Sequence, residues 1–436
     1  MAEKRSTRID CRPLLRSGGV VEEIADSQSR PTTGAVSCTG RSLRWTNGHL
    51  ARSTLDVNFE FATAKRIVFG PGKLREAGSI AKELGHRALL VIGKSAGAIQ
   101  RVEPLLSVLT SADVEYATFS VSGEPTFEVV RSGARRATDE HCDLVIGFGG
   151  GSVIDTGKAI ATMMTNGGDP LDYVEIIGKG EPITKPSASF IAIPTTAGTG
   201  AEVTRNAVLG SPEHHVKVSM RSPLMLPSVA LVDPELTYDL PADITATSGL
   251  DALTQLIEPF VSVRANPITD AICREGMQRV ARSLRKAYET GDTAAREDMA
   301  LAALFSGMAL ANAGLGAVHG FAGPLGGMYD APHGGLCAAL LPHVMEVNRG
   351  MIRGPAGRGA VSTPTEIVRR FDEVRRIVGD LNDLVRALRI QPLRKYGVKR
   401  EDFPAIIEKA KAANSMKGNP LRLRDRELLR ILEDAV

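Results

Sequence analysis

Between Phe59 and Pro234 the chain alternates short, continuous apolar runs with longer segments whose apolar residues recur every three or four positions. The runs are Arg66 to Phe69, Ala88 to Ile92, Val114 to Phe119, Leu144 to Phe148 and Phe190 to Ile193. They are short and mostly β-branched or aliphatic, which predicts strands with both faces buried. Lys73 to Leu84, Ala98 to Thr110 and Phe127 to Glu140 carry helical periodicity between them. Strand, helix, strand in succession predicts a mostly parallel sheet with covered faces, and such sheets bind ligands at the carboxyl ends of their strands. After Asp233-Pro234 the strand signals stop and the chain reads as helices. In one of them, with Asp270 as its expected cap, Cys273, Met277, Val280, Ala281, Leu284 and Tyr288 form an apolar stripe, while Arg274, Arg279, Arg282 and Lys286 face away.

The pattern therefore divides the chain into an extension over residues 1–56, an α/β half over 57–238 and an all-helical half over 239–436. A cleft between the two halves is the natural site. The extension is rich in Arg, Ser, Thr and Gly, and no apolar stretch follows its basic start. It reads as a flexible segment rather than a secretory signal, with an organellar transit segment as the alternative. Met299 to Tyr329 lacks any charged residue, but its Ala and Gly content and the interruptions at Ser306, Asn312 and His319 predict a tightly packed buried helix rather than a membrane span. Acidic residues interleave the Arg-rich stretch from Arg369 to Arg400, which predicts a solvated helical face.

Composition narrows the partners. In 436 residues, 53 Lys plus Arg against 50 Asp plus Glu leave a net charge of +3. That is too dilute for a general nucleic-acid or membrane field, so a small-molecule partner is expected. The five cysteines, Cys11, Cys38, Cys142, Cys273 and Cys337, are odd in number and form no C-x-x-C pair. This predicts reduced thiols and a cytoplasmic location.

Two turns and one dispersed set carry the candidate chemistry. Gly149-Gly150-Gly151-Ser152 follows the strand ending at Phe148 and opens a helix through Asp155 and Lys158. Glycine backbone and a helix N-terminus suit a pyrophosphate; the same triplet also makes a plain tight connection, and it is neither G-x-G-x-x-G nor a P-loop. Pro194-Thr195-Thr196-Ala197-Gly198-Thr199-Gly200-Ala201-Glu202-Val203-Thr204 follows the next strand, and its hydroxyls suit a ribose and nicotinamide if it is more than a polar loop. Thr247 to Gln255 is expected to start a helix that sets Asp251 and Gln255 one turn apart on one face. With His319 and His333, each beside glycine, they offer a carboxylate, an amide oxygen and two imidazoles to a divalent metal, leaving a position for substrate. By spacing alone the set is not specific, since a histidine in an apolar segment is more often a satisfied core residue.

Gly149-Gly150-Gly151-Ser152-Val153-Ile154-Asp155, the Thr195 to Thr204 loop, Gly249-Leu250-Asp251-Ala252-Leu253-Thr254, Gly316-Ala317-Val318-His319-Gly320 and Ala331-Pro332-His333-Gly334 together resemble the iron-containing (group III) alcohol dehydrogenase family. The likeness extends from about Phe59 to the C-terminus. It implies an α/β N-terminal nucleotide-binding domain plus an all-α C-terminal domain, the fold shared with dehydroquinate synthase. A divalent metal, Fe²⁺ or Zn²⁺, would sit between them and NAD or NADP would serve as hydride carrier for alcohol–aldehyde or ketone interconversion, in a homodimer or larger homo-oligomer. By position the family's catalytic metal ligands fall on Asp251, His319 and His333. Its nucleotide-facing positions fall on Gly93, Gly149, Gly150, Gly151, Ser152, Asp155, Thr195, Thr196, Thr199 and Lys217. From the residues alone, Lys217 in His215-Val216-Lys217-Val218 reads rather as a solvated strand lysine.

Three positions depart from the pattern. Gln255 stands where a fourth ligand is usually histidine, so the site is expected to be harder and more open to metal loss. Gly323 stands where many members carry a histidine for proton transfer. Gly93-Lys94-Ser95 replaces an aspartate that would grip the adenosine ribose, which removes repulsion toward a 2′-phosphate and admits NADP(H), with Lys94 or Ser95 to meet it. The alternatives are a metal-independent enzyme like maleylacetate reductase, or a dinucleotide-binding protein without catalysis.

Overall fold

The segment Arg87–Gly93 forms a strand with no solvent face. Ala88, Leu90 and Ile92 enter one apolar cluster, Leu89 and Val91 enter another, and all five are buried. Only a sheet covered on both sides accommodates such a run. The computed structural model describes residues 58–436 apart from 95, 215, 330 and 354–363. The expectations about residues 1–56, including Cys11 and Cys38, and about Ser95 lie outside the described residues.

Among the described residues, eight strands, numbered in chain order, are β1 (Arg66–Phe69), β2 (Arg87–Gly93), β3 (Glu115–Val121), β4 (Leu144–Gly149), β5 (Ser189–Pro194), β6 (Asn206–Ser211), β7 (Val216–Arg221) and β8 (Val229–Val232). Six of them form one parallel sheet in the order β1-β8-β5-β4-β2-β3. Helices α1 (Ala77–Leu84) and α2 (Ala96–Ser111) cover one face, through Ile80, Leu105 and Leu109. Helices α3 (Phe127–Asp139) and α4 (Gly151–Asn166) cover the other, through Val130, Ile154 and Ile160. The five strands expected from the sequence are present to within two residues at each end. The β6–β7 antiparallel hairpin and β8 were not expected. Ala207, Leu209, Val218 and Met220 of the hairpin are buried in alternation with polar or half-buried neighbours, a weaker signal than a continuous run.

The rest is helical: α5 (Ala242–Val261), α6 (Pro267–Thr290), α7 (Thr293–Ala313), α8 (Ala317–Met328), α9 (His333–Arg353), α10 (Pro364–Val378), α11 (Leu381–Ala387), α12 (Phe403–Ala412) and α13 (Asp425–Ala435). Helix α5 is the hub, buried from Gly249 through Val261 and packed against α6, α7 and α9. Four local expectations are corrected here. Thr247 does not start α5, which begins at Ala242 behind Pro241. Asp270 does not cap α6; Asn266 does, accepting from the Ile268 and Thr269 N–H groups ahead of Pro267, which frees Asp270 to pair with Arg370 at 2.7 Å. Arg370 is thereby largely withdrawn from the solvated face expected of its segment. Met299 to Tyr329 is two helices rather than one, α7 and α8, because Gly314 has φ 71° and the chain turns by 99° there. Among the described residues no single helix is long and apolar enough to cross a membrane, and α7 and α8 instead supply buried residues to the helical core.

The sheet and the helices meet at a backbone crossing. Gly200, with φ 60°, lies so close to Gly307 of α7 that a Cβ at 307 would stand 2.1 Å from the Gly200 carbonyl oxygen. The loop after β5 is thus held directly against a helix neighbouring α5.

Candidate active site

Strand β2 pairs with β3 on one side and β4 on the other, so the chain reverses its direction of travel across the sheet between β2 and β4. In open parallel sheets that switch point, at the carboxyl ends, opens the ligand crevice. Gly93 ends β2 and Gly149 ends β4 there, with Pro194 of β5 in register beside Gly149. Gly150 caps α4 with no side-chain hydrogen bond, which leaves first-turn N–H groups at Gly151 and Ser152 for an anionic ligand. The two loops lock together: Thr195 N–H donates to the Gly149 carbonyl at 3.0 Å, and a Cβ on Gly151 would stand 2.8 Å from the Thr199 side chain. The Thr196 hydroxyl lies 3.5 Å from the Cβ position of Gly150.

Not every residue expected at the nucleotide is free to meet it. Asp155 accepts from Val208 N–H of β6 at 3.0 Å and pairs with Lys158 at 3.0 Å, tying α4 to the hairpin. Lys158, fully buried, also donates to the Ala201 carbonyl, the Thr204 hydroxyl and the Asn206 carbonyl. Lys217 is mostly buried, pairs with Glu124 at 3.1 Å and reaches to 3.2 Å from the Cβ position of Gly326 on α8.

Below this edge, α5, α8 and α9 bring Asp251, His319 and His333 together. His319 Nε2 stands 3.5 Å and His333 Nε2 3.8 Å from Asp251 Oδ1, with ring centroids 5.4 Å apart. Asp251 Oδ1 is buried and has no hydrogen-bond partner. A buried carboxylate left so is costly unless a cation meets it, so these donors fit a divalent metal. Electrostatics agree. Burial alone would raise the Asp251 pKa, but His319, His333 and the Gln255 amide hold it below the usual carboxylate range. Burial likewise opposes charge on His319, yet Cys337, Asp251 and Glu258 outweigh it and hold the imidazole well above its ordinary value. The cluster calls for positive charge.

The sequence reading missed three contributors. Glu258, one turn beyond Gln255 on α5, accepts from His319 Nδ1 at 2.7 Å and from Val318 N–H at 2.6 Å. Gly316 makes room for it, since a Cβ there would stand 2.9 Å from Glu258 Oε1. Cys337, one turn beyond His333, places Sγ 3.6 Å from His333 Nε2 and 3.7 Å from His319 Nε2. Asp251, His319, His333 and Cys337 present ligand atoms all within 4.8 Å of one another. Ser306 of α7 donates to the Ala303 carbonyl of its own helix at 2.8 Å, and its hydroxyl oxygen lies 3.3 Å from both Gln255 Oε1 and the Gly198 carbonyl oxygen, between the two parts of the site. Helical spacing was the available signal for Glu258 and Cys337: each sits three or four positions from a residue already singled out. Gly323 of α8 faces open space, with nothing within 4 Å of its Cβ position.

Comparison with known proteins gives the same outline. The model of the iron-containing alcohol dehydrogenase family matches residues 64–234, and that of the C-terminal part of the Fe-containing family matches 245–436. The chain is 37% identical over 387 residues to 1,3-propanediol dehydrogenase of Citrobacter freundii, covering 86% of this chain and 98% of that one. It is 36% identical over 358 residues to lactaldehyde reductase of Escherichia coli strain K12, covering 81% and 93%. A crystal structure of 1,3-propanediol oxidoreductase superposes with a TM-score of 0.78 at 36% identity, covering 87% of this chain and all of that one.

Proposed function

The chain belongs to the iron-containing alcohol dehydrogenase family, and from that premise we propose how its own residues perform the family's NAD(P)-linked exchange between alcohols and carbonyl compounds. Asp251, His319 and His333 hold the metal, and one observation carries this assignment: a buried carboxylate oxygen without a partner faces two imidazole nitrogens at 3.5 and 3.8 Å. When bound, a divalent ion supplies Lewis acidity toward an alcohol or carbonyl oxygen, and a nicotinamide supplies or accepts the hydride. Glu258 fixes the tautomer of His319 by accepting from Nδ1, which turns Nε2 toward Asp251. The N–H groups of Gly151 and Ser152 hold the pyrophosphate, while Thr195, Thr196 and Thr199 line the path from it to the metal donors. Burial of Asp251 and His319 keeps bulk water from the reacting centre.

The finer identities follow from the same edge of the sheet. Gly93 places no carboxylate at the end of β2 and Lys94 beside it is exposed, which supports NADP(H). Zn²⁺ and Fe²⁺ both suit a nitrogen and oxygen donor set. A division into 57–238 and 239–436 is supported by the change from strands to helices between β8 and α5. A cytoplasmic, homo-oligomeric enzyme accords with the dispersed cysteines and with the family. The test is a metal-reconstituted screen with NAD⁺ and NADP⁺ against short alcohols, diols and hydroxy acids, run beside His319→Ala and His333→Ala. Both variants are expected to lose turnover while binding nucleotide nearly as tightly as wild type. Wild-type rates in both would overturn the metal assignment.

A further inference from the structure

Cys337 is fully buried on α9, and its sulfur faces the point on which the two histidines and Asp251 converge. Zinc at about 2.3 Å from sulfur and about 2.05 Å from nitrogen or oxygen, in tetrahedral geometry, separates sulfur from imidazole nitrogen by about 3.6 Å and carboxylate oxygen from imidazole nitrogen by about 3.4 Å. The sulfur stands 3.6 and 3.7 Å from the two nitrogens, and the carboxylate oxygen 3.5 and 3.8 Å. Asp251 Oδ1, buried and unpartnered, is an independent sign of a cation at the same point. Gln255 Oε1 lies 3.3 Å from the Ser306 hydroxyl of α7, whereas the Cys337 sulfur stands within reach of both imidazoles.

We propose that Cys337, not Gln255, completes the donor set, so that the metal is held by two nitrogens, one oxygen and one sulfur. The inference rests on the metal reading above. On binding, the Cys337 S–H bond breaks, its proton leaves to solvent and a metal–sulfur bond forms, with no change of oxidation state. Such a thiolate favours Zn²⁺ over Fe²⁺, and a fifth position remains for substrate because zinc expands its coordination.

The experiment strips the full-length protein with a chelator and titrates it with Co²⁺. Wild type and Gln255→Ala are expected to show visible d–d bands together with a near-ultraviolet sulfur-to-cobalt charge-transfer band. Cys337→Ser and Cys337→Ala should keep d–d bands but lose the charge-transfer band, with Zn²⁺ affinity lowered about 100-fold or more. X-ray absorption on zinc-loaded wild type should find one sulfur at about 2.3 Å, a result that depends on no variant folding. Stoichiometric metal in wild type without a sulfur signature would overturn the proposal and leave the metal reading intact. No stoichiometric metal at all would overturn both.

Discussion

Single residues near the cluster act through what they hold in place. Glu258 acts through its neighbours: its two oxygens position His319 and the first turn of α8. Glu258→Gln keeps the shape and removes the charge, so metal affinity is expected to fall about 10- to 100-fold, measured by competition with a chromophoric chelator. Unchanged affinity would mean that α8 alone orients the imidazole. At the opposite end of the crevice, Gly93→Asp restores a carboxylate at the end of β2. Repulsion of a 2′-phosphate should shift the ratio of kcat/KM for NADP⁺ over NAD⁺ downward by about tenfold or more. An unmoved ratio would place adenosine recognition elsewhere. Gln255 shows how far residue type alone carries: an amide where histidine is usual announces an altered site, but its place 3.3 Å from the Ser306 hydroxyl is visible only in three dimensions.

Elements depend on their ends. Helix α13 begins at Asp425, and the buried Glu427 in its first turn binds back to Arg424, whose N–H and guanidinium donate at 3.0 to 3.1 Å, and to Arg426. Burial opposes ionisation of Glu427, but these arginines hold its pKa down to about 2. A depressed carboxylate contributes stability above its unfolded-state pKa near 4.5 and loses it as pH falls toward 2. Wild type should therefore lose stability across that window, and Glu427→Gln should lose less, as read by denaturant unfolding at pH 5, 4 and 3. Parallel curves for the two proteins would show that the arginines do not stabilise the ionised form. The same dependence on ends explains the misread elements. Asn266-Pro267 is a stronger start than Asp270, and a charge-free run broken by Gly314 and Gly316 reads as one helix until its backbone angles are known.

At the scale of the whole molecule, the loop after β5 and helix α7 are joined where Gly200 meets Gly307. Gly307→Ala forces a methyl group against the Gly200 carbonyl, so the loss of stability should be about 1–3 kcal/mol. Nucleotide affinity should fall with it, because Gly200 continues the Thr195 to Thr199 loop. Calorimetry and a nucleotide titration read the two effects, and wild-type values in both would show that the crossing relaxes freely. The sequence by itself determined the parallel sheet, since apolar runs too short for helices need partners on both faces. It also marked the glycine turn and proposed Asp251, His319 and His333 as candidate ligands, whose local patterns belong to a recognisable family. The convergence of Glu258 and Cys337 was decided only by the tertiary structure. Glu258 meets His319 across 61 positions and Cys337 meets it across 18. Periodicity states which side of a helix a residue occupies, whereas the packing of α5, α8 and α9 states what stands opposite it.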